Sequence, residues 1–211
     1  MPSADLDRIA EELNGMLRAE SQRRQRFRQS LPPEEKAEFI NGVTVFHSPA
    51  TLRHTIARQN LTAILRSWIV PRRLGTVLDE KALCAFRRND YEPDIACFSA
   101  EQAAQFSPDQ RLFPVPSLIV EVLSASTEAN NRGVKFDDYA RSGVREYWLV
   151  DPSAETVEVY AGANGAFERV ETGSAGRVRS RLLEGLEFDL RAIFDPETAL
   201  REAARLQIDH G

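Results

Sequence analysis

Cysteine is scarce in this 211-residue chain: Cys84 and Cys97 are the only two, each set in apolar or strand-like sequence and without CxxC spacing. Such usage argues against a disulfide framework or a structural zinc site and points to two buried free thiols. Long apolar runs are missing as well, none approaching the roughly 20 residues that span a bilayer. The opening segment MPSADLDRIAEELNGM has neither the basic start nor the apolar core of a signal peptide. A cytoplasmic protein without membrane contact is the expectation. Positive charge is also in short supply, since 27 Lys and Arg face 32 Asp and Glu for a net charge of −5. A generally basic nucleic-acid binder is disfavoured on that count, yet the charge is uneven: residues 1–90 carry 15 basic and 11 acidic groups, the remainder 12 and 21. Neither an internal repeat nor a low-complexity tract is found.

What is present suits one α/β domain with a sizeable core plus a helical extension: 42% of residues are hydrophobic and 28% charged. The division expected is an amphipathic helix over residues 1–30 and a domain over 31–211. Leu6, Ile9, Leu13, Met16 and Leu17 recur at helical spacing, and Arg23, Arg24, Arg26 and Arg28 continue the segment until Pro32-Pro33 breaks it. Those arginines could touch phosphates, but no aromatic ladder accompanies them, so a solvated face or a docking helix for a second subunit is the favoured reading. A homodimer follows as an expectation, because the apolar stripe needs a cover.

The stretch Pro116–Pro152 organises the rest. Leu118-Ile119-Val120 and Val122-Leu123 form a run fit for a buried strand, interrupted by a single carboxylate, Glu121. An ionised Glu there costs several kcal/mol unless a cation, a metal or hydrogen bonds compensate, so something positive should lie opposite. A helix is predicted near Ala129–Ser142, closed by Gly143, with Arg132, Lys135 and Tyr139 on one face and Lys135 able to point inward. Glu146–Val150 then reads as a second strand, completing a strand, crossover helix and strand unit with parallel strands.

Elsewhere, Glu34–Phe39 reads as a short helical turn before a turn at Asn41-Gly42 and a strand. A second helix runs from Ala50 to about Trp68, burying Leu52, Ile56, Leu61, Ile64 and Leu65 and carrying His54. Two short strands (76–78, 82–86), a polar turn (87–91), the strand Ile95–Phe98 opened by Glu92-Pro93-Asp94, and a surface loop (102–114) follow. Beyond Pro152, three runs (156–160, 167–171, 178–183) are expected to extend the sheet as an antiparallel meander. Asp195-Pro196 then starts a closing helix through Leu200, Ala204 and Leu206.

Two acidic residues on neighbouring strands with a Lys directed at them are the equipment of metal-assisted phosphodiester hydrolysis. Carboxylates hold Mg²⁺ or Mn²⁺, the metal acidifies a water, and the Lys stabilises charge growing on the phosphate. Glu92-Pro93-Asp94, Ile119–Ser124, Gly133-Val134-Lys135 through Asp138-Tyr139, and Val144–Pro152 resemble the "putative restriction endonuclease" family, within the PD-(D/E)XK nuclease superfamily. The resemblance covers about residues 34–190 and implies a restriction-endonuclease-like mixed β-sheet core flanked by helices. It further implies Asp94 and Glu121 as metal ligands, with the Val122 carbonyl as a third. The Lys usual two residues after the Glu is replaced here by Leu123, and Lys135 on the following helix matches the departure found in this family. Glu38 and His54 match a Glu before a turn and a His on the next helix, while Asn41 stands where Asp is usual. A nucleic-acid substrate, DNA before RNA, is implied with them. Three other readings remain open at this stage: a buried ion-pair network, a nuclease-like module that binds without cutting, and another hydrolase with paired carboxylates.

Overall fold

The structure, a computed structural model, describes residues 2–32 and 35–208. Its elements are α1 (Pro2–Ser30), the hairpin β1 (Ala37–Ile40) and β2 (Val43–Phe46), α2 (Leu52–Ile69), β3 (Gly75–Asp79), β4 (Leu83–Ala85), β5 (Asp90–Tyr91), β6 (Ile95–Ser99) and α3 (Ala100–Ala103). There follow β7 (Leu112–Phe113), β8 (Leu118–Val122), α4 (Glu128–Arg132), α5 (Val134–Arg141), β9 (Glu146–Asp151), β10 (Thr156–Ala163), β11 (Ala166–Gly173), β12 (Arg177–Arg179), β13 (Glu187–Asp189) and α6 (Pro196–Ile208).

A six-stranded sheet in the order β11-β10-β9-β8-β6-β3 forms the centre, with β8 and β9 parallel and the other neighbours antiparallel. Because side chains alternate along a strand, Leu118, Val120 and Val122 turn to one face, where Leu61, Ile64 and Leu65 of α2 and Leu206 of α6 complete a core. Ile119 and Leu123 turn to the other, among Tyr139 of α5, Tyr147 and Leu149. Glu121 shares the parity of Ile119 and so faces α5. A second sheet, β2-β1-β5-β4-β7, lies beside the first. Asn41 (φ 49°) and Gly42 (φ 85°) both take the left-handed conformation that a two-residue hairpin demands, which is why this dipeptide joins β1 to β2.

Several expectations change. Residues 37–40 are strand rather than helical turn, since pairing on both sides with β2 and β5 overrides local propensity; the start of that predicted turn, Glu34, lies outside the described residues. The helix expected over 129–142 is two helices broken at Gly133, where an added Cβ would come within 2.8 Å of the Ala129 carbonyl. Leu52 and Leu200 are exposed rather than buried, because α2 and α6 present Ala57, Leu61, Ala199 and Ala203 inward instead. Val178 belongs to the separate β12-β13 pair and not to the main sheet. The predicted loop over 102–114 contains the end of α3 and the short β7. Asp195 does cap α6, accepting from Thr198 N at 2.8 Å, and both cysteines are buried and free. Among the described residues, no helix is long and apolar enough to cross a membrane.

The second half of α1 is bound to the body through the Asp90 carboxylate, the Arg88–Glu20 pair and the bonds from Arg24 to the Phe86 and Asn89 carbonyls. Asp90 is fully buried and accepts from Arg24 Nη2 (2.5 Å), Arg28 Nε (2.7 Å) and Arg28 Nη2 (2.7 Å), while Phe27 packs on Phe39 at 5.8 Å between ring centroids. Replacing Asp90 by Ala leaves two guanidinium groups without their anion at the seam of α1 and β5. The expected loss is about 2–3 kcal/mol, below the full cost of breaking a buried pair because Arg28 keeps partial access to water. Urea melts of Asp90→Ala against wild type measure it, and a loss under about 0.5 kcal/mol would detach α1 from this explanation.

Candidate active site

Four of the predicted residues, Asp94, Glu121, Lys135 and His54, line one cleft of about 530 Å³ with the 124–127 turn, while Glu38 and Val122 stand behind it against Lys135 and Asp94. Asp94 is at the mouth of β6, antiparallel to β8, and its Oδ2 accepts from Val122 N at 2.9 Å, which ties it to the residue after Glu121. The other oxygen, Oδ1, accepts from Lys36 Nζ at 2.9 Å and lies 3.4 Å from His54 Nε2. His54 reaches it from the first turn of α2, which Thr51 caps by accepting from His54 N. In a strand the carbonyl of a residue leaves on the same side as its N–H, so the Val122 carbonyl also borders the Asp94 side of β8.

Glu121 finds the positive partner that its burial demanded. Its Oε1 accepts from Lys135 Nζ at 3.0 Å and from Tyr139 OH at 2.8 Å. Lys135 and Tyr139 are four residues apart on α5 and therefore share a face. Arg132, expected on that face, lies beyond the Gly133 break and pairs outward with Glu128 and Glu158. The Lys135 ammonium is divided between two carboxylates, since Glu38 Oε1 of β1 sits 2.7 Å away and also accepts from Glu92 N at 2.8 Å. Glu38 Oε2 is 3.1 Å from His47 Nε2.

The ionisations are pushed apart. Burial raises Asp94, but the hydrogen bond from His54 and the charge of Lys36 outweigh it and hold the carboxyl below the ordinary range. Glu121 moves the other way: burial raises it, Lys135 pulls it down, and the negative charges of Asp94 and Glu38 leave it above the usual value. For Lys135 burial favours the neutral amine, yet Glu121 and Glu38 together keep it protonated. Glu92 is raised to about 7, first by burial, and its Oε2 is buried without a hydrogen-bond partner.

Sequence reading missed four members of this constellation as site residues: Lys36, His47, Glu92 and Tyr139. The signals were present for three of them. Lys36 precedes Glu38 at the strand period, Glu92 precedes Asp94 by the same step, and Tyr139 follows Lys135 by one helical turn. His47 had none, because it arrives through the hairpin.

The donor set fits a hard cation. Asp94, Glu121 and a backbone carbonyl offer oxygen only, the ligand type that Mg²⁺ and Mn²⁺ prefer. No group of three or more His, Cys, Asp and Glu among the described residues forms a ready-made metal cluster, so two side chains and the carbonyl would carry the ion.

The chain is similar to known proteins in sequence and in fold. Residues 24–191 match the model of the Uma2 family, "Putative restriction endonuclease". An uncharacterized protein of Synechocystis sp. is 30% identical over 128 residues, 60% of this chain and 72% of that protein. The crystal structure of a "putative nuclease belonging to DUF820" from Anabaena variabilis superposes with a TM-score of 0.68 at 19% identity, covering 81% of this chain and 96% of that one.

The raised Glu92 gives a pH test. A group whose folded pKa lies above its unfolded value stabilises the fold below the unfolded value, about 4.3, and that contribution is lost as pH rises through about 7. Glu92→Gln should therefore flatten the fall in stability between pH 5 and pH 8, recovering about 2 kcal/mol at the alkaline end. Urea melts at the two pH values read it, and an unchanged slope in the variant would show that Glu92 titrates as it does in the unfolded chain.

Proposed function

The chain belongs to the Uma2 family, and on that premise we propose that it is a metal-dependent nuclease hydrolysing phosphodiester bonds of nucleic acid, DNA in preference to RNA, in the cleft between β6, β8, α2 and α5. One observation carries the reading: Asp94 at the mouth of β6 and Glu121 on the adjacent β8 border one cleft, with the Lys135 ammonium held between Glu121 and Glu38. Asp94, Glu121 and the Val122 carbonyl would hold Mg²⁺ or Mn²⁺. When bound, such an ion lowers the pKa of its water and offsets charge on the phosphate.

The remaining groups have roles set by their contacts. Lys135, kept charged by its two carboxylates, presents a fixed cation to the oxygens on which charge develops. Glu38 positions that ammonium from the opposite side and, by accepting from Glu92 N, fixes the approach to Asp94. His54 and Lys36 keep Asp94 ionised, which a metal-binding carboxylate requires. Tyr139 donates to Glu121 Oε1 beside Lys135 and so fixes the orientation of that carboxylate.

A second reading, a nuclease-like module that binds nucleic acid without cutting, rests on Lys36, whose ammonium already occupies Asp94 Oδ1.

The two readings separate on metal and cleavage. With Mg²⁺ or Mn²⁺ the wild type should cut at least one of a panel of double-stranded DNA, single-stranded DNA and RNA, while Asp94→Asn, Glu121→Gln and Lys135→Met lose about 10³-fold or more in rate. Mn²⁺ should raise the melting temperature of wild type and leave Glu121→Gln unchanged. Glu121→Gln should itself remain folded, because Lys135 keeps Glu38 as a partner and the repulsion from Asp94 and Glu38 is removed. No cleavage of any substrate together with retained binding would favour the module. A metal-independent loss of about 3–5 kcal/mol in Glu121→Gln would instead mark Glu121 as a structural ion-pair partner.

A further inference from the structure

The first half of α1 has an apolar stripe that none of the described residues covers. Leu6, Ile9, Leu13, Met16 and Leu17 are all exposed, from 40% for Leu17 to 71% for Met16. At 100° per residue these positions lie on the same face as Glu20, Arg24 and Phe27, the residues through which the second half of the helix meets the body. The docked face of α1 therefore runs past the edge of the body and continues uncovered. A projecting helical segment of this length is marginal in water, and Gly15, with no neighbour within 4 Å, lowers its propensity further. Its stability has to come from a cover.

Charge along the helix identifies the cover. Residues 5–12 carry Asp5, Asp7, Glu11 and Glu12 against Arg8, whereas residues 18–28 carry five arginines against Glu20. Even with Arg24 and Arg28 committed to Asp90, Arg18, Arg23 and Arg26 leave that half positive. A parallel pair sets the acidic tips of residues 5–12 on each other, whereas an antiparallel pair crossing at Leu13 separates them and brings Asp5 of one copy, opposite residue 21, within a turn of Arg23 on the same flank of the other. We propose that α1 is a self-association element, the apolar stripes of two copies of this chain packing antiparallel about a two-fold axis near Leu13.

Pairing of this kind is isologous and closes at two copies. With the axis at Leu13, Leu6 of one copy lies opposite residue 20 of the other. There the β1–β2 turn packs on α1, Arg23 Nε donating to the Gly42 carbonyl at 3.3 Å. The edge strand β2 at this place exposes Val43 and Phe46, so the tip of each helix meets further apolar surface on the second body. The inference is independent of the catalytic reading, since none of these residues lines the cleft.

Light scattering of the full chain over about a hundredfold concentration range tests it. The expected result is a dimer that Leu13→Asp weakens by about tenfold or more in Kd, with the melting curve of the body retained. Direction is tested by oxidative cross-linking of single-cysteine variants, the native thiols being buried. Leu13→Cys should cross-link rapidly and Leu6→Cys should not, because only a residue near the axis meets its own copy. A monomeric wild type at every concentration, or a dimer indifferent to Leu13→Asp, overturns the proposal. Equal cross-linking at positions 6 and 13 overturns the antiparallel arrangement.

Discussion

One buried ammonium joins the parts of this protein. Lys135 of α5 is almost wholly excluded from water, and it is shared between Glu121 of the six-stranded sheet and Glu38 of the five-stranded one. Taking an ammonium out of water costs several kcal/mol, so the two sheets must approach closely enough to supply both carboxylates. The Gly133 break, which turns α5 onto this line, and Tyr139, which satisfies Glu121 alongside the lysine, both serve the same contact. A core built from hydrocarbon alone would not need this alignment; the charge requires it.

The same contact makes two similar carboxylates behave differently. Asp94 lies among Lys36, His54 and the Val122 amide, all of which favour its anion. Glu121 shares its cation with Glu38 and also feels Asp94, so its anion is strained. The two carboxylates thus differ in ionisation although they border one cleft, and a divalent cation held between them, as proposed, would favour the anion of Glu121.

The periphery is held by a simpler version of the same device. Asp90, buried at the start of β5, anchors α1 through two arginines, and β5 leads within four residues to Glu92 and Asp94. The family match begins at residue 24, inside α1, so it includes Arg24, Phe27 and Arg28 and leaves the uncovered stripe of Leu6–Leu17 outside.

What the sequence by itself determined was whatever local pattern encodes. The strand, crossover and strand unit was legible from an apolar run, a helical face and a closing Gly143, and the lone Glu121 in that run already required a positive partner. Asp94, Lys135, Glu38 and His54 entered as candidate site residues chiefly through a resemblance. Only the tertiary structure decided how these groups divide their charges. Lys36 and His47 reach the cleft through a hairpin whose strand looked helical in isolation, and Glu38 becomes the second partner of Lys135 across a sheet boundary. Arg132, adjacent in the helical pattern, is turned away by a backbone break at Gly133. Periodicity records which face a side chain takes along one element. It carries no information on which distant charge will be buried opposite it, because that pairing is fixed by the desolvation balance of the whole packed interior.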